Sequence, residues 1–125
     1  MQKLIISEEK ISGENPVTVL TLKGTLETTN ATSLEEVIGR ILASDRYRIV
    51  VDLSDVSYIS SAGWGIFICE IKRVRRKCGD IKLAAMRAGV REVFDLLEFN
   101  NILRVYPGTG EAIRDFEVPI GAKSD

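Results

Sequence analysis

The residues of this chain that could do chemistry are concentrated in the segment "SYISSAGWG", at positions 57–65. Two adjacent serines offer hydroxyl groups, and the small residues after them leave the backbone open to another molecule. A serine nucleophile usually needs a nearby base, most often a histidine, and the chain contains none. The segment also lacks the G-x-S-x-G arrangement of a hydrolase nucleophile elbow. We therefore expect no catalytic residue and no enzymatic activity.

Length and composition are those of an ordinary globular domain. The 125 residues are enough for one hydrophobic core, and 45% of them are hydrophobic and 28% charged. The net charge of −1 gives no strong field that would recruit nucleic acid or an acidic membrane. No apolar run reaches the roughly 18 residues of a membrane span, and the first apolar segment is too short for a signal peptide. We expect a cytoplasmic protein without membrane insertion.

The cysteines and glycines give no indication of a metal or a cofactor. Cys69 and Cys78, as residues of one helix, would lie roughly 13 Å apart, which is too far for a disulfide bond. Two cysteines without a histidine also make a poor set of metal ligands. The chain has no glycine-rich phosphate loop of the P-loop or dinucleotide type. We therefore expect neither a metal site nor a cofactor.

Hydrophobic periodicity predicts strands that alternate with helices. The predicted strands span 3–7, 16–24, 47–53, 80–86 and 102–107. The first predicted helix lies within 28–44, and the others span 61–78, 90–99 and 109–116. Such alternation is typical of right-handed crossovers and a largely parallel sheet. The predicted fold is therefore α/β, with a four- to five-stranded mixed sheet packed with about four helices. We expect one domain over 1–118 and a disordered tail over 119–125.

The sequence gives further detail for several elements. The strand at 16–24 mixes valine with threonine, as a half-exposed strand near a sheet edge would, whereas 47–53 resembles a strand buried on both faces. The first helix has two possible starts, with Asn30 as N-cap or with Thr32 in a capping box. Gly79 is expected to cap the C-terminus of the second helix. The apolar residues predicted to face the core are Trp64, Phe67, Ile71, Val74 and Cys78 in the second helix, and Val90, Val93, Phe94 and Leu97 in the third.

The serine segment follows the most buried strand, at the edge of the sheet where functional loops lie. We predict that "SYISSAG" is such a loop, with Ser60 and Ser61 at or just before the first turn of the next helix, where either hydroxyl could cap it. Gly63 and Gly65 each cost about 1 kcal/mol of helix propensity. A structural N-cap explains the serines alone, but it explains the serine pair with both glycines less well.

The segment "VVDLSDVSYISSAGWG" resembles the signature of the STAS domain, which occurs in bacterial anti-sigma factor antagonists. Three further segments are similar to that family, so the resemblance covers nearly the whole chain: "VLTLKGTLETTNATSLEE", "KCGDIKLAAM" and "VREVFDLLEFNNILRVYP". The resemblance implies a non-enzymatic switch. The unphosphorylated antagonist binds an anti-sigma factor that is also a serine kinase, and this frees a sigma factor. Phosphorylation of a loop serine separates the two proteins, and a phosphoserine phosphatase resets the antagonist.

Alignment on Gly63 puts the family's phosphoserine on Ser61. Ser60 stands where an aspartate is common and is the second candidate, while Ala62 replaces a serine or threonine and Trp64 replaces a leucine. The outer face of the second helix, with Ile66, Cys69, Glu70 and Arg73, adjoins this loop and is a candidate docking surface. The predicted partner-binding residues are Ser60, Ser61, Ala62, Gly63, Trp64, Ile66, Cys69 and Arg73.

The sequence also offers a basic cluster and an alternative function. The cluster of Lys72, Arg73, Arg75, Arg76 and Lys77 could indicate nucleic acid, but cations are also favoured at a helix C-terminus. With the net charge of −1 and no interleaved aromatic residues, we expect no nucleic acid partner. The main alternative function is a STAS module that acts without phosphorylation, as a scaffold or an interaction subunit of a larger signalling or transport complex.

Overall fold

The computed structural model describes residues 4–117, which form a five-stranded sheet and four α-helices. In chain order the elements are β1 (Leu4–Ile11), β2 (Val17–Leu26), α1 (Ala31–Ala43), β3 (Arg48–Ile59), α2 (Ser61–Arg76), β4 (Asp80–Ala84), α3 (Ala88–Leu96), a 3-10 turn (Phe99–Asn101), β5 (Arg104–Tyr106) and α4 (Thr109–Glu117). The predicted α/β architecture is confirmed. The tail expected at 119–125 lies outside the described residues.

The strands lie side by side in chain order, β1-β2-β3-β4-β5. β1 runs antiparallel to β2, and the other neighbouring pairs are parallel. The prediction of a half-exposed β2 is wrong, because this strand is second from the edge and most of its side chains are buried. Its threonines do not mark exposure, since Thr18 is buried and its hydroxyl accepts a hydrogen bond from Arg46.

Alternate residues of β2 serve two separate apolar clusters on the two faces of the sheet. Leu20 and Leu22 face the larger cluster, which also receives the apolar faces of α1, α2 and α3. Val17 and Val19 face the smaller one, which α4 covers through Ala112. This follows from the two-residue period of strand side chains. Within residues 4–117, no helix is both long enough and apolar enough to cross a bilayer.

β3 is longer than the sequence pattern indicated. It was predicted to end at position 53, but it continues to Ile59, which pairs with Leu26 at the end of β2. Its pairing with β4 already stops at Asp52, so the last part of β3 projects beyond β4. Arg87, before α3, lies along that projection and donates a hydrogen bond of 2.9 Å to the carbonyl oxygen of Ser54. The predicted loop over 57–63 therefore shortens to Ser60, because residues 57–59 belong to β3 and residues 61–63 to α2.

The two alternatives for the start of α1 are decided in favour of Asn30, which occupies the N-cap position. Its side chain does not cap the helix. Instead, its amide oxygen accepts from the N–H of Glu27 at 2.8 Å, and its amide nitrogen donates to the carbonyl oxygen of Thr25 at 2.9 Å. Asn30 thus stabilises the turn between β2 and α1.

Several helix details differ from the prediction. α2 ends at Arg76, and Cys78, which was predicted to face the core, is exposed and has a φ of +62°. The N–H of Cys78 bonds to the carbonyl of Arg75 and that of Gly79 to the carbonyl of Val74, which is the Schellman pattern with cysteine in the left-handed position. In α3, Val90 and Phe94 are buried as predicted.

Two residues predicted to join them in the core, Val93 and Leu97, are exposed. The reason is that α3 presents only a narrow stripe to β3. Leu97 lies beyond its last helical residue.

Gly79 serves close packing rather than a left-handed cap. A Cβ atom there would overlap the carbonyl oxygen of Tyr47, which accepts a hydrogen bond from the N–H of Asp80. We therefore expect Gly79→Ala to lower the free energy of unfolding by about 1–3 kcal/mol, as overpacking does. Cys78→Gly, the matched variant, should raise it by about 1 kcal/mol, because glycine adopts a positive φ without strain. Denaturant unfolding of both variants measures these changes, and the opposite order of stabilities would contradict this assignment.

Candidate functional site

A single residue, Ser60, separates the end of β3 from the start of α2. Its N–H donates to the carbonyl oxygen of Leu26 at 2.8 Å, and its own carbonyl oxygen accepts from the N–H of Trp64 at 3.0 Å. The first bond continues the sheet and the second begins the helix. The serine segment is therefore a fixed joint between two regular elements rather than a flexible loop.

The two serines have different roles at this joint. Ser60 is the N-cap, and its side-chain oxygen accepts a hydrogen bond of 3.3 Å from the N–H of Gly63. Ser61 is the first residue of α2 and is exposed. The sequence left open which hydroxyl caps the helix, and the structure assigns that role to Ser60.

The surroundings of Ser61 favour an anion. The N–H groups of Ser61 and Ala62 precede the first donor of the helical hydrogen-bond ladder, so they have no acceptor within α2. The positive end of the helix dipole lies at the same place. A negative charge carried by the Ser61 side chain would therefore be stabilised at this position.

The two glycines of the segment have different structural roles. A Cβ atom at Gly63 would lie 2.7 Å from Cγ of Leu26 and 2.9 Å from Cγ2 of Ile59, whereas one at Gly65 would meet no atom within 4 Å. Gly63 lets the first turn of α2 lie against the end of β2. Gly65 leaves the exposed surface of the same turn bare.

Trp64 and Gly63 are buried. This confirms the prediction that Trp64 faces the core, and it corrects the prediction that both residues also lie on the partner-facing surface. Trp64 is 2% exposed, and its ring packs against the rings of Phe67, Phe94 and Phe99, at centroid distances of 5.3 to 6.1 Å. Among the described residues its indole N–H finds no acceptor. Trp64 therefore anchors the start of α2 in the core.

The outer face of α2 is smaller than predicted. Cys69 and Arg73 are exposed, but Ala62 and Ile66 are half-buried, and Ile66 packs against the main core cluster. Glu70 is only 3% exposed, and its carboxylate accepts hydrogen bonds of 2.9 and 3.2 Å from Arg73. The apolar surface that this face offers beside Ser61 is therefore limited.

Sequence reasoning missed two contributors to this region. Leu26 supplies both the carbonyl that holds Ser60 and the side chain that requires Gly63. Tyr58, treated above as a loop residue, lies on β3 and is exposed. Two-residue alternation gave no signal for Tyr58, because the register of β3 against β2 shifts between the buried Val56 and the exposed Tyr58.

The cap geometry leads to a prediction about the two hydroxyl groups. We expect Ser60→Ala to lower the free energy of unfolding by about 1 kcal/mol, because the N–H of Gly63 loses its acceptor. Ser61→Ala should change it by less than roughly 0.5 kcal/mol, as at a typical surface position. Urea unfolding of both variants provides the comparison. Equal losses would mean that Ser61 shares the capping role.

The glycines provide a second matched pair within one helical turn. Gly63→Ala should destabilise the protein by about 1–3 kcal/mol, because the new methyl group meets Leu26 and Ile59. Gly65→Ala should stabilise it by about 0.5–1 kcal/mol through helix propensity. The two unfolding midpoints should therefore move in opposite directions, and a stabilising Gly63→Ala would refute the close contact with Leu26.

Comparison with known proteins agrees with the resemblance. The family model of the STAS domain matches residues 10–112. BtrV of Bordetella bronchiseptica, assigned as an anti-sigma factor antagonist, is 31% identical over 100 residues, which cover 80% of this chain and 84% of BtrV.

Two solved structures share the fold. The crystal structure of an anti-sigma factor antagonist from Mycobacterium paratuberculosis has a TM-score of 0.76 at 22% identity and covers 90% of this chain and 95% of that one. The phosphorylated form of SpoIIAA from Bacillus has a TM-score of 0.65 at 16% identity, with coverage of 87% and 98%. This chain therefore belongs to the STAS domain family of anti-sigma factor antagonists.

Proposed function

We propose that this protein is a cytoplasmic partner switch without enzymatic activity of its own. In its unphosphorylated form it binds an anti-sigma factor that is also a serine kinase, through the surface around Ser61, and so releases a sigma factor. Phosphorylation of Ser61 ends the binding, and a phosphoserine phosphatase restores it. The observation that carries this proposal is the exposed hydroxyl of Ser61 on the first turn of α2, beside a second serine that is already used as a cap.

Ser61 is a better phosphate acceptor than Ser60 for a geometric reason. A kinase must bring the serine oxygen in line with the γ-phosphorus of ATP. The Ser60 oxygen is half-buried and accepts from Gly63, so modification there would cost the helix its cap. The Ser61 oxygen is exposed, and it can attack ATP, release ADP and lose its proton to a base of the kinase without disturbing the joint.

The phosphorylated protein should remain folded. A phosphate adds about −1.5 to −2 charges, and at Ser61 it would meet unpaired N–H groups and the positive end of the α2 dipole. The penalty falls on the complex instead, because the partner would have to remove water from a bulky, doubly charged group. Phosphorylation on this account blocks a surface and leaves the fold unchanged.

Two comparisons support the proposal. The relatives named above are anti-sigma factor antagonists, which supports an anti-sigma factor as the partner. SpoIIAA is known in a phosphorylated form, which supports a stable phosphorylated state for this fold.

Incubation of the protein with ATP and the anti-sigma factor kinase of its own organism tests the acceptor. We expect phosphate on Ser61, mapped by mass spectrometry, and none on the Ser61→Ala variant, which should still bind the kinase. Ser61→Asp should bind at least about tenfold more weakly, or ~1.4 kcal/mol, because a carboxylate reproduces part of the phosphate charge. Ser12→Asp is the matched control, since it adds the same charge in the exposed turn between β1 and β2, at the other end of the sheet.

Phosphate on Ser60 would move the switch by one residue. A kinase that is active on another substrate but modifies neither serine would favour the alternative function, an unphosphorylated STAS scaffold or interaction subunit.

A further inference from the structure

The described residues 4–117 contain six large apolar side chains that are exposed, and four of them share one surface. We call this surface the β3–α3 patch and define it by Tyr58, Val93, Leu96 and Leu97. Leu96 is 81% exposed and Tyr58 is 52% exposed. The remaining two are Ile5, on the edge strand β1, and Ile102, after the 3-10 turn.

The four residues of the patch are contiguous. Tyr58 and Val93 line the same narrow cleft between the end of β3 and the start of α3, with Trp64 as one of its walls. Val93, Leu96 and Leu97 are spaced three and four positions apart, which places them on one side of α3. The patch therefore runs from the projecting end of β3 along α3.

The patch begins next to the serine joint. Tyr58 lies two residues before Ser60, whose backbone is still extended, so both side chains point to the same side of the strand. Charged pairs border the apolar surface. A guanidinium nitrogen of Arg87 lies 3.8 Å from a carboxylate oxygen of Asp55, and Nε of Arg91 lies 3.0 Å from a carboxylate oxygen of Asp95. An apolar centre with a polar rim is the usual anatomy of a protein–protein interface.

A partner that covers Ser61 needs more surface than α2 offers. A stable interface involves about 20–30 residues on each side, and its binding energy concentrates in a few aromatic and apolar anchors. On α2 the apolar side chains near Ser61 are the half-buried Ala62, Ile66 and Ile68 and the exposed Cys69, and none of them is a large, exposed side chain. On the β2–α1 side of Ser61, the turn from Glu27 to Asn30 is polar and carries no large exposed apolar side chain. The β3–α3 patch is the adjacent surface that supplies such anchors.

We propose that the β3–α3 patch is the apolar half of the surface on which the anti-sigma factor docks, with Tyr58 and Leu96 as its main contacts. This inference rests on the proposed function, because the occupant is the same protein that reads Ser61. One rigid partner then covers both the patch and the serine. A phosphate on Ser61 stays hydrated at the edge of this apolar contact, so the partner can no longer pack against the patch.

Binding of the purified anti-sigma factor kinase, measured by calorimetry, tests the patch with substitutions of opposite charge. Leu96→Asp and Leu96→Lys should each weaken binding at least tenfold, because either charge would have to be desolvated, and both should keep the wild-type unfolding midpoint. Tyr58→Ala should weaken binding by a similar factor. Ile5→Asp is the matched control, since Ile5 is 54% exposed but lies on the edge strand β1, and its binding should be unchanged.

The outcomes separate this inference from the proposed function. If Ser61→Asp weakens binding while both Leu96 variants bind like the wild type, the patch assignment is wrong and the switch at Ser61 stands. If the wild-type chain does not bind the kinase, both are wrong. If the Leu96 variants only convert a dimer into a monomer in light scattering, with kinase binding unchanged, the patch covers a second copy of this chain and the inference is overturned.

Discussion

The contact between Gly63 and Leu26 is the constraint on which the rest of the functional region depends. Because no Cβ atom separates them, the first turn of α2 lies directly against the end of β2, where the carbonyl of Leu26 also holds the N–H of Ser60. Three elements, β2, β3 and α2, are thereby fixed at one point. A strand that ended earlier, or a helix that began later, would leave the serines on a mobile loop.

At this joint the two serines have the same side chain but different roles: Ser60 is structural and Ser61 is exposed. The hydroxyl of Ser60 satisfies a donor at the start of α2, and this leaves Ser61 as an exposed hydroxyl at the positive end of the helix. The same rigidity means that a change at Ser61 alters the surface presented to a partner rather than the conformation of the domain. The aromatic contacts of Trp64 with Phe94 and Phe99 fix the same turn of α2 from the side of the core.

β3 projects beyond β4, and this projecting part brings α3 close to the serine joint. Past Asp52, β3 is still paired with β2 on one side, but on the other side β4 has ended. Arg87 and α3 lie there instead, and a narrow cleft remains between them and β3. Tyr58 lies on this projecting part of β3 and is exposed, next to the exposed side chains of α3.

The sequence by itself determined the order of strands and helices, the parallel character of the sheet, most of the core stripe of α2, and the family, because each of these is encoded by local periodicity or a contiguous motif. Only the tertiary structure decided where β3 ends and which serine caps α2. It also decided that Cys78, not Gly79, takes the left-handed conformation, and that Leu97 is exposed. These features depend on residues distant in sequence, such as Leu26 for the serine joint and Tyr47 for Gly79. Spacing along the chain carries no record of such contacts, so they could not be predicted from it.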